Sequence, residues 1–246
     1  YLKDIVTEGD FGMSYFSGRP VFDEIWPRFL VTIRMSLLIL VISVCVGVPV
    51  GIYSAVRQYS LWDTVPTMMA FFLAAVPSFV IGMVLMYFFA LKINIFPSFG
   101  LSGLKSYILP VSAVAISEAA AYLRFTKSSM LEAIRQDYVR TARGKGVPER
   151  TVIWKHAMRN ALLPVITCVG MRFGVLLAGM VTTERLFSIP GIGSLIVDSI
   201  SKKDEPVIIA ASILIASAFT MLMLLVDIAY AYVDPRIRAK YSRLER

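Results

Sequence analysis

Five long runs of apolar residues divide the chain, and stretches rich in polar and charged residues separate them. The runs cover residues 31–56, 65–91, 108–123, 161–183 and 207–233. A helix needs about 20 mainly apolar residues to cross the hydrocarbon core of a bilayer. Four runs meet that length, and the third is short for a span. The pattern predicts an all-α, polytopic membrane helix bundle with five visible spans, preceded by an external segment over residues 1–30.

Composition supports a membrane protein. Hydrophobic residues make up 57% of the 246 positions and charged residues 17%, and the mean hydropathy is +0.70. A soluble domain has roughly 45–50% apolar and about 25% charged residues, so an ordinary soluble enzyme is excluded. The net charge of +8 would suggest nucleic acid in a soluble protein. In a membrane protein the same excess is expected from cytoplasmic loops, so we expect no nucleic-acid partner.

The distribution of basic residues predicts the orientation. Residues 57–64, 124–160 and 234–246 lie on one side of the predicted spans and carry 15 Lys and Arg in 58 positions. The segments on the other side carry 8 in 69 positions. The denser side is cytoplasmic by the positive-inside rule. The N-terminal segment is therefore expected outside the cell and the C-terminus in the cytoplasm.

Among the charged residues inside the apolar runs, three are informative: Glu118, Arg172 and Asp227. Charges within spans are costly, and they usually face a partner or a water-filled cavity. Our hypothesis is that Arg172 pairs with Asp227, and Glu118 is the other partner within geometric reach. A role in lining a polar pathway and simple snorkelling toward the cytoplasmic face are the alternatives.

Proline and small residues indicate irregular or close-packed helices. Pro49 and Pro77 each remove one backbone hydrogen bond and are expected to kink their spans. Gly170, Gly174 and Ala178 recur every fourth residue of the fourth run. Small residues at this spacing let two helix backbones approach closely, so this span is expected to pack against protein rather than lipid.

The cytoplasmic loop 124–160 is unusually long and carries a net charge of +6. Leu131, Ile134, Tyr138 and Ala142 recur in it at helical spacing, with charged residues on the other faces, which predicts an amphipathic helix. The segment 144–148, Gly-Lys-Gly-Val-Pro, then predicts a turn and the start of a second helix. Such a platform either lies on anionic lipid or docks a soluble partner. The apolar stripe and the central turn favour docking.

Several motifs resemble one transporter family along almost the whole chain. DYVRTARGKG and RNALLP, at residues 137–146 and 159–164, are similar to the EAA loop of ABC-importer permeases of the dipeptide, oligopeptide and nickel family. Further similar segments are TKSSMLEAIRQ (126–136), FGMSYFSGRPV (11–21), GVPVG (47–51), ERLFSIPGIG (184–193) and DPRIR (234–238). The segment before the first visible span resembles the B-type member of the permease pair. Two of the three lettered EAA positions differ, since Arg140, Thr141 and Ala142 occupy them.

The resemblance implies a permease subunit with one more N-terminal span, six in all, in a bacterial or archaeal inner or plasma membrane. It also implies four kinds of partner: a second, C-type permease, two ABC ATPase subunits, an external substrate-binding protein and the lipid membrane. The loop would couple ATPase movement to the change from inward-open to outward-open. We expect Ile134, Tyr138 and Ala142 to pack into an ATPase cleft, Asp137 and Arg140 to make polar contacts there, and Gly146 to form the turn.

No catalytic residues are predicted. The chain lacks the GxxxxGK[ST] phosphate-binding motif, so ATP and Mg are expected on the partner subunits, with no cofactor or metal held by this chain. His156 is the only histidine, and Cys45 and Cys168 lie in apolar runs without metal-like spacing, as expected of packing residues.

The substrate class remains open among related cargoes. Short peptides are the first choice, and nickel or a metallophore complex is the second. An ion-coupled secondary transporter is the alternative from another class; it would need carboxylates near the midplane and repeated halves. On the outer side, residues 192–203 predict an amphipathic helix that either contacts a substrate-delivery protein or lies at the membrane surface.

Overall fold

The computed structural model describes residue 5 and residues 10–233, without the side chains at positions 178, 179, 227 and 229–233. The predicted all-α class is confirmed, because these residues are organised as helices and connecting turns. The only pairing of extended backbone among them is an isolated bridge between Met13 and Pro20. The DPRIR motif and the C-terminal tail lie outside the described residues.

Helices cover the apolar runs, and shorter helices lie between them. They are α1 (Val21–Val56), α2 (Leu61–Ala75), α3 (Ser78–Leu85), α4 (Ile108–Ile134), α5 (Asp137–Gly144), α6 (Glu149–Thr151), α7 (Met158–Gly179), α8 (Val181–Leu186), α9 (Ile192–Lys202) and α10 (Glu205–Val233). Helix α3 continues as a π-helical segment, Met86–Lys92, and a second one, Val152–Ala157, joins α6 to α7. A 3₁₀ turn, Leu104–Tyr107, precedes α4.

Among the described residues, four helical stretches are long and apolar enough to span a membrane. They are Val21–Val56, Leu104–Ile134, Glu149–Leu177 and Glu205–Val226. A bent pair, α2 with α3 and its π-helical extension, makes a fifth if the pair forms one span. The five predicted spans therefore correspond to helices of the fold, although several of their limits differ.

Two predicted limits and one predicted kink are corrected. Helix α1 begins at Val21 rather than at residue 31, so ten residues assigned to the external segment are helical. Helix α4 extends to Ile134, so the third run is not a short span. The last 11 residues of this helix, 124–134, belong to the segment that was predicted as the start of the cytoplasmic loop. The second run is interrupted rather than kinked, because Val76 is extended (φ −92°, ψ 123°) in front of Pro77. Proline disfavours a helical conformation for the residue before it, which explains this break.

The described residues form two compact units. The first comprises residues up to Ile39, Ser78–Val114 and Phe173–Met221. Its main buried cluster joins the start of α1 to α9 and α10, and it contains Val21, Ile25, Phe29, Ile192, Leu195, Val207, Ala210 and Ala211.

The second unit comprises Leu40–Pro77, Ala115–Arg172 and the residues from Leu222 onward. Its larger buried cluster joins the end of α1, the end of α4, α5 and the helix that follows, and it contains Ile52, Ala55, Met130, Ala133, Val139, Ala142, Val152, Ile153, Ala157 and Ala161. The short helix α5 is therefore anchored by apolar packing within this unit.

Glycines in the spans permit close helix packing. A Cβ atom on Gly170 would meet the side chain of Val226, and one on Gly174 would meet the ring of Phe219. The prediction that this face of the fourth span packs against protein is confirmed at both glycines. The side chain of Ala178, the third position of that face, lies outside the described residues.

Candidate functional site

The amphipathic segment of the loop is two helices rather than one. The sequence predicted a single helix through Leu131 and Ala142, but α4 ends at Ile134 and α5 begins at Asp137. The amides of Arg135 and Gln136 donate to carbonyls three residues back, at 3.2 and 3.3 Å, which tightens the last turn of α4. Gln136 is then extended (φ −70°, ψ 151°), and this conformation separates the helices.

Helix α5 has one buried face and one exposed face. Val139 and Ala142 are buried in the core of their own unit, and Ile134 packs against the same cluster. The expectation that Ala142 enters a cleft on another subunit is therefore corrected, because intramolecular packing already covers it. The apolar periodicity of α5 indicated correctly that one face is buried, but it did not identify the surface that buries it.

The exposed face of α5 is mostly polar. The side chains of Asp137 and Arg140 are 99% and 75% exposed, with 3.9 Å between carboxylate and guanidinium. Tyr138 is exposed as well, and the hydroxyl of Thr141 donates to the carbonyl of Asp137 at 2.9 Å. These four residues form a surface, called here the α5 outer face, that is accessible to a partner.

A tight turn follows α5, as predicted. Gly146 has φ +73°, a left-handed conformation that costs other L-residues about 1–2 kcal/mol. The amide of Gly146 donates to the carbonyl of Arg143 at 2.9 Å, and the next amide, Val147, donates to that of Ala142 at 3.2 Å. These bonds satisfy carbonyls that the end of a helix leaves free.

A solvent-exposed ion pair connects the two ends of the turn. The Arg143 guanidinium donates to both carboxylate oxygens of Glu149, with Nε–Oε2 at 3.1 Å and an Nη–Oε1 distance of 2.6 Å. Both side chains are exposed, at 40% and 59%. The pair joins the last turn of α5 to the first residue of α6, so it holds the two ends of the turn together.

Within the spans, Arg172 pairs with Glu118. Its Nε and one Nη donate to the two carboxylate oxygens at 2.7 and 2.9 Å, and the guanidinium lies 5.9 Å from the ring centroid of Tyr122. The side chains of Arg172 and Glu118 are 40% and 15% exposed. Glu118 was the other partner within geometric reach, and the structure shows this pair; the hypothesis of a pair between Arg172 and Asp227 is not tested. The side chain of Asp227 itself lies outside the described residues.

Sequence reasoning missed Glu184, a carboxylate that is completely buried. It lies in α8 and accepts hydrogen bonds from the hydroxyl of Thr32 at 2.6 Å and from the amide of Ser194 at 2.7 Å. The Gly193 amide also donates to it, and burial raises the pKa of Glu184 above the usual range despite these bonds. A Cβ atom on Gly191 would collide with the carboxylate.

This carboxylate caps the start of α9. The amide of Ile192 donates to Thr32 Oγ1 at 3.0 Å, so Thr32 and Glu184 together satisfy three amides that a helix start leaves unbonded. The segment ERLFSIPGIG contained the available signal, because an acidic residue followed by Pro-Gly and an amphipathic run suggests a capped helix start. Sequence reasoning also missed the buried ion pair between Asp63 and Lys127.

No metal centre is recognisable in the described part of the chain, because it contains no cluster of three or more His, Cys, Asp or Glu side chains arranged to hold an ion. Cys45 is exposed and Cys168 is buried, and both are free thiols.

Comparison of the sequence with known proteins gives one family. A protein-family model described as "Binding-protein-dependent transport system inner membrane component" matches residues 47–239. The glutathione transport system permease protein GsiC of Escherichia coli strain K12 is 39% identical over 240 residues, which cover 98% of this chain and 78% of GsiC. The GsiC protein of Salmonella typhi is 40% identical over 235 residues, or 96% of this chain and 77% of that relative.

Two solved transporters share the fold. An inward-facing structure of the MetNI methionine ABC transporter aligns with a TM-score of 0.71 at 15% identity, over 87% of this chain and 97% of the other. An amino acid ABC transporter with histidines aligns with a TM-score of 0.60 at 14% identity, over 88% and 93% of the two chains. At these identities the likeness is one of fold.

Proposed function

The chain belongs to the family of inner membrane components of binding-protein-dependent transport systems, and it is a permease subunit of an ABC importer; from this premise we propose that it forms half of a pathway for short peptides. The observation that supports this substrate class is the identity of about 40%, over nearly the whole chain, to permeases named for glutathione transport. Glutathione is a small peptide, so a pathway of similar size and polarity fits the proposal.

In this proposal α5 is the coupling helix that contacts a separate ATPase subunit. Its outer face, made of Asp137, Tyr138, Arg140 and Thr141, is accessible, and its inner face is fixed in the core of its own unit. A helix anchored on one side and exposed on the other can receive a force and pass it to the structure behind it. Ile134 and Ala142 then support the helix from within, and Gly146 shapes the turn.

The partners follow from the same assignment. Two ABC ATPase subunits bind ATP and Mg, a second permease completes the pathway, and an external binding protein delivers the substrate. The proposed orientation puts α5 and the C-terminus in the cytoplasm and the N-terminal segment outside, in accordance with the concentration of Lys and Arg in residues 124–160. The ion-coupled carrier considered from sequence belongs to another class, and the family assignment excludes it.

The Glu118–Arg172 pair is proposed as a polar element of the pathway or of its wall. Both charges are matched by a two-point hydrogen bond, yet 40% of the arginine side chain remains exposed. A neutralised pair that is still accessible suits a surface facing water or a polar substrate better than one facing lipid.

The proposed function is tested with the complete importer in vesicles. The chain is co-expressed with its cognate ATPases, second permease and binding protein, and uptake of labelled glutathione and dipeptides is measured with ATP, with and without vanadate. We expect vanadate-sensitive peptide uptake. A complex that hydrolyses ATP and transports none of these peptides would refute the substrate class.

Two glycine variants test the coupling role within the same complex. Gly146→Val introduces a β-branched residue at φ +73° and should reduce uptake at least tenfold while the ATPases stay bound. Gly144→Ala is the matched control, because this glycine ends α5 and a Cβ atom there has open space. Equal uptake by the two variants would contradict the role given to the turn.

A further inference from the structure

A buried network around Asp63 joins three helices of the second unit. The Asp63 carboxylate is almost fully buried, accepts a hydrogen bond from the Ser54 hydroxyl and forms an ion pair with Lys127. The amide of Tyr59 donates to its other oxygen at 3.0 Å. The Thr67 hydroxyl donates to Asp63 at 3.1 Å and accepts from the Lys127 ammonium at 3.0 Å.

The members of the network come from three helices and the turn between two of them. Ser54 lies in the last turn of α1, Asp63 in the first turn of α2, and Lys127 in α4. Tyr59 lies between α1 and α2 and has φ +69°, an unfavourable conformation for a residue with a side chain. One carboxylate therefore fixes both the turn between α1 and α2 and the attachment of that turn to α4.

Helices α1 and α4 also touch backbone to backbone beside the network. A Cβ atom on Gly47 would lie 2.9 Å from Cβ of Tyr122, and one on Gly51 would lie 2.6 Å from the carbonyl oxygen of Leu123. Positions 47, 51 and 54 share one helical face, so the network closes the same contact at its end. Close packing of this kind leaves little room for α1 and α4 to move independently.

Helix α4 leads directly to the coupling helix. Lys127 precedes the last residue of α4 by seven positions, about 11 Å along a helix, and α5 begins three residues after that end. A displacement of α5 is therefore transmitted through the last two turns of α4 before it reaches the ion pair.

We propose that the Asp63–Lys127 clamp makes α1, α2 and α4 move as one body when the coupling helix moves. The two residues are positioning residues for transport, since they act through the helices that they join. This inference rests on the proposed coupling function of α5. Without the clamp, α4 would shift while the turn between α1 and α2 stayed behind, and ATP would be hydrolysed without reorienting the pathway.

The test compares charge-removing and conservative variants in the complete importer. Asp63→Asn and Lys127→Met break the pair, Lys127→Arg keeps a donor with a positive charge, and Arg57→Gln removes an exposed positive charge from the same turn as a control. Uptake of labelled glutathione, ATP hydrolysis and the amount of bound ATPase are measured on each preparation. The ratio of peptide transported to ATP hydrolysed is the readout that a merely structural role would not change.

We expect this ratio to fall at least tenfold in Asp63→Asn and Lys127→Met, to stay within threefold of wild type in Lys127→Arg, and to be unchanged in Arg57→Gln. An unchanged ratio in the first two variants overturns the proposal. If neither variant assembles, Thr67→Val, which removes one hydroxyl at nearly constant volume, decides the question: a lower ratio supports the clamp and a normal ratio overturns it. Absence of ATP-driven uptake by the wild-type importer would instead refute the proposed function.

Discussion

Removal of the buried Glu184 carboxylate should destabilise the first unit through the start of α9. Glu184→Ala removes an acceptor shared by Thr32, Gly193 and Ser194, all within a region from which solvent is excluded. No other side chain is seen to bond these two amides among the described residues. The helix start would therefore keep buried donors without partners.

The magnitude follows from the number of donors. The Thr32 hydroxyl keeps a second acceptor, the Arg28 carbonyl at 3.3 Å, so the amides of Gly193 and Ser194 are the donors left without a partner. Each buried donor left unsatisfied costs about 1–3 kcal/mol, so two donors at the lower limit give a loss of about 2 kcal/mol. For chains of 150–250 residues, 1 kcal/mol corresponds to about 2–4 °C in Tm. We expect Glu184→Ala to lower the Tm of the purified protein by about 4–8 °C. Glu184→Gln keeps one acceptor oxygen and should lose about half of that amount.

The same carboxylate predicts a pH dependence. Burial raises the pKa of Glu184 in the folded state. The stabilisation that comes from binding this proton in the folded state is therefore fully present below the pKa of Glu184 in the unfolded chain, and it is lost as the pH rises through the pKa of Glu184 in the folded state. The stability of the wild-type protein should therefore decrease as the pH rises between these two pKa values. Glu184→Gln, which cannot ionise, should lack this component of the decrease.

Thermal unfolding in detergent, followed by tryptophan fluorescence at several pH values, measures both effects. Glu205→Ala serves as the control, because this exposed glutamate lies in the first turn of α10 and its loss should cost less than about 1 kcal/mol. A change below 2 °C in Glu184→Ala, or equal changes in the two variants, would refute the capping role.

Three further predictions concern the second unit. Reversal of either charge in the Glu118–Arg172 pair should abolish uptake into vesicles, and a double variant in which the two charges are exchanged should restore part of it. Absence of any restoration would contradict a role based on the mutual attraction of the two charges. Gly51→Val should lower stability by about 3 kcal/mol, visible as a lower Tm, because the new side chain overlaps the backbone of α4. Arg143→Gln and Glu149→Gln should each change stability by less than about 1 kcal/mol, and by less still in high salt, since the pair is exposed.

The sequence predicted local features of the coupling region well. The stop after Gly144 and the turn at Gly146 depend on the conformational freedom of glycine, and the restart after Pro148 depends on the geometry of proline. The break between α4 and α5 was missed because residues 131–142 keep one apolar period on both sides of it. Periodicity shows which residues share a face, and it does not show where the backbone turns.

Length and hydrophobicity alone determined the all-α class and the five apolar segments, since crossing or approaching a bilayer requires a long apolar stretch whatever its neighbours are. Only the tertiary structure decided which charges meet: Arg172 with Glu118, 54 positions away, and Asp63 with Lys127. Several partners were compatible with the sequence spacing in the first case, and none was suggested in the second. Which charged residues pair depends on which helices are neighbours. Close packing of small residues such as Gly47 and Gly51 against another helix sets the neighbours, and this packing is a property of the folded chain rather than of any one segment.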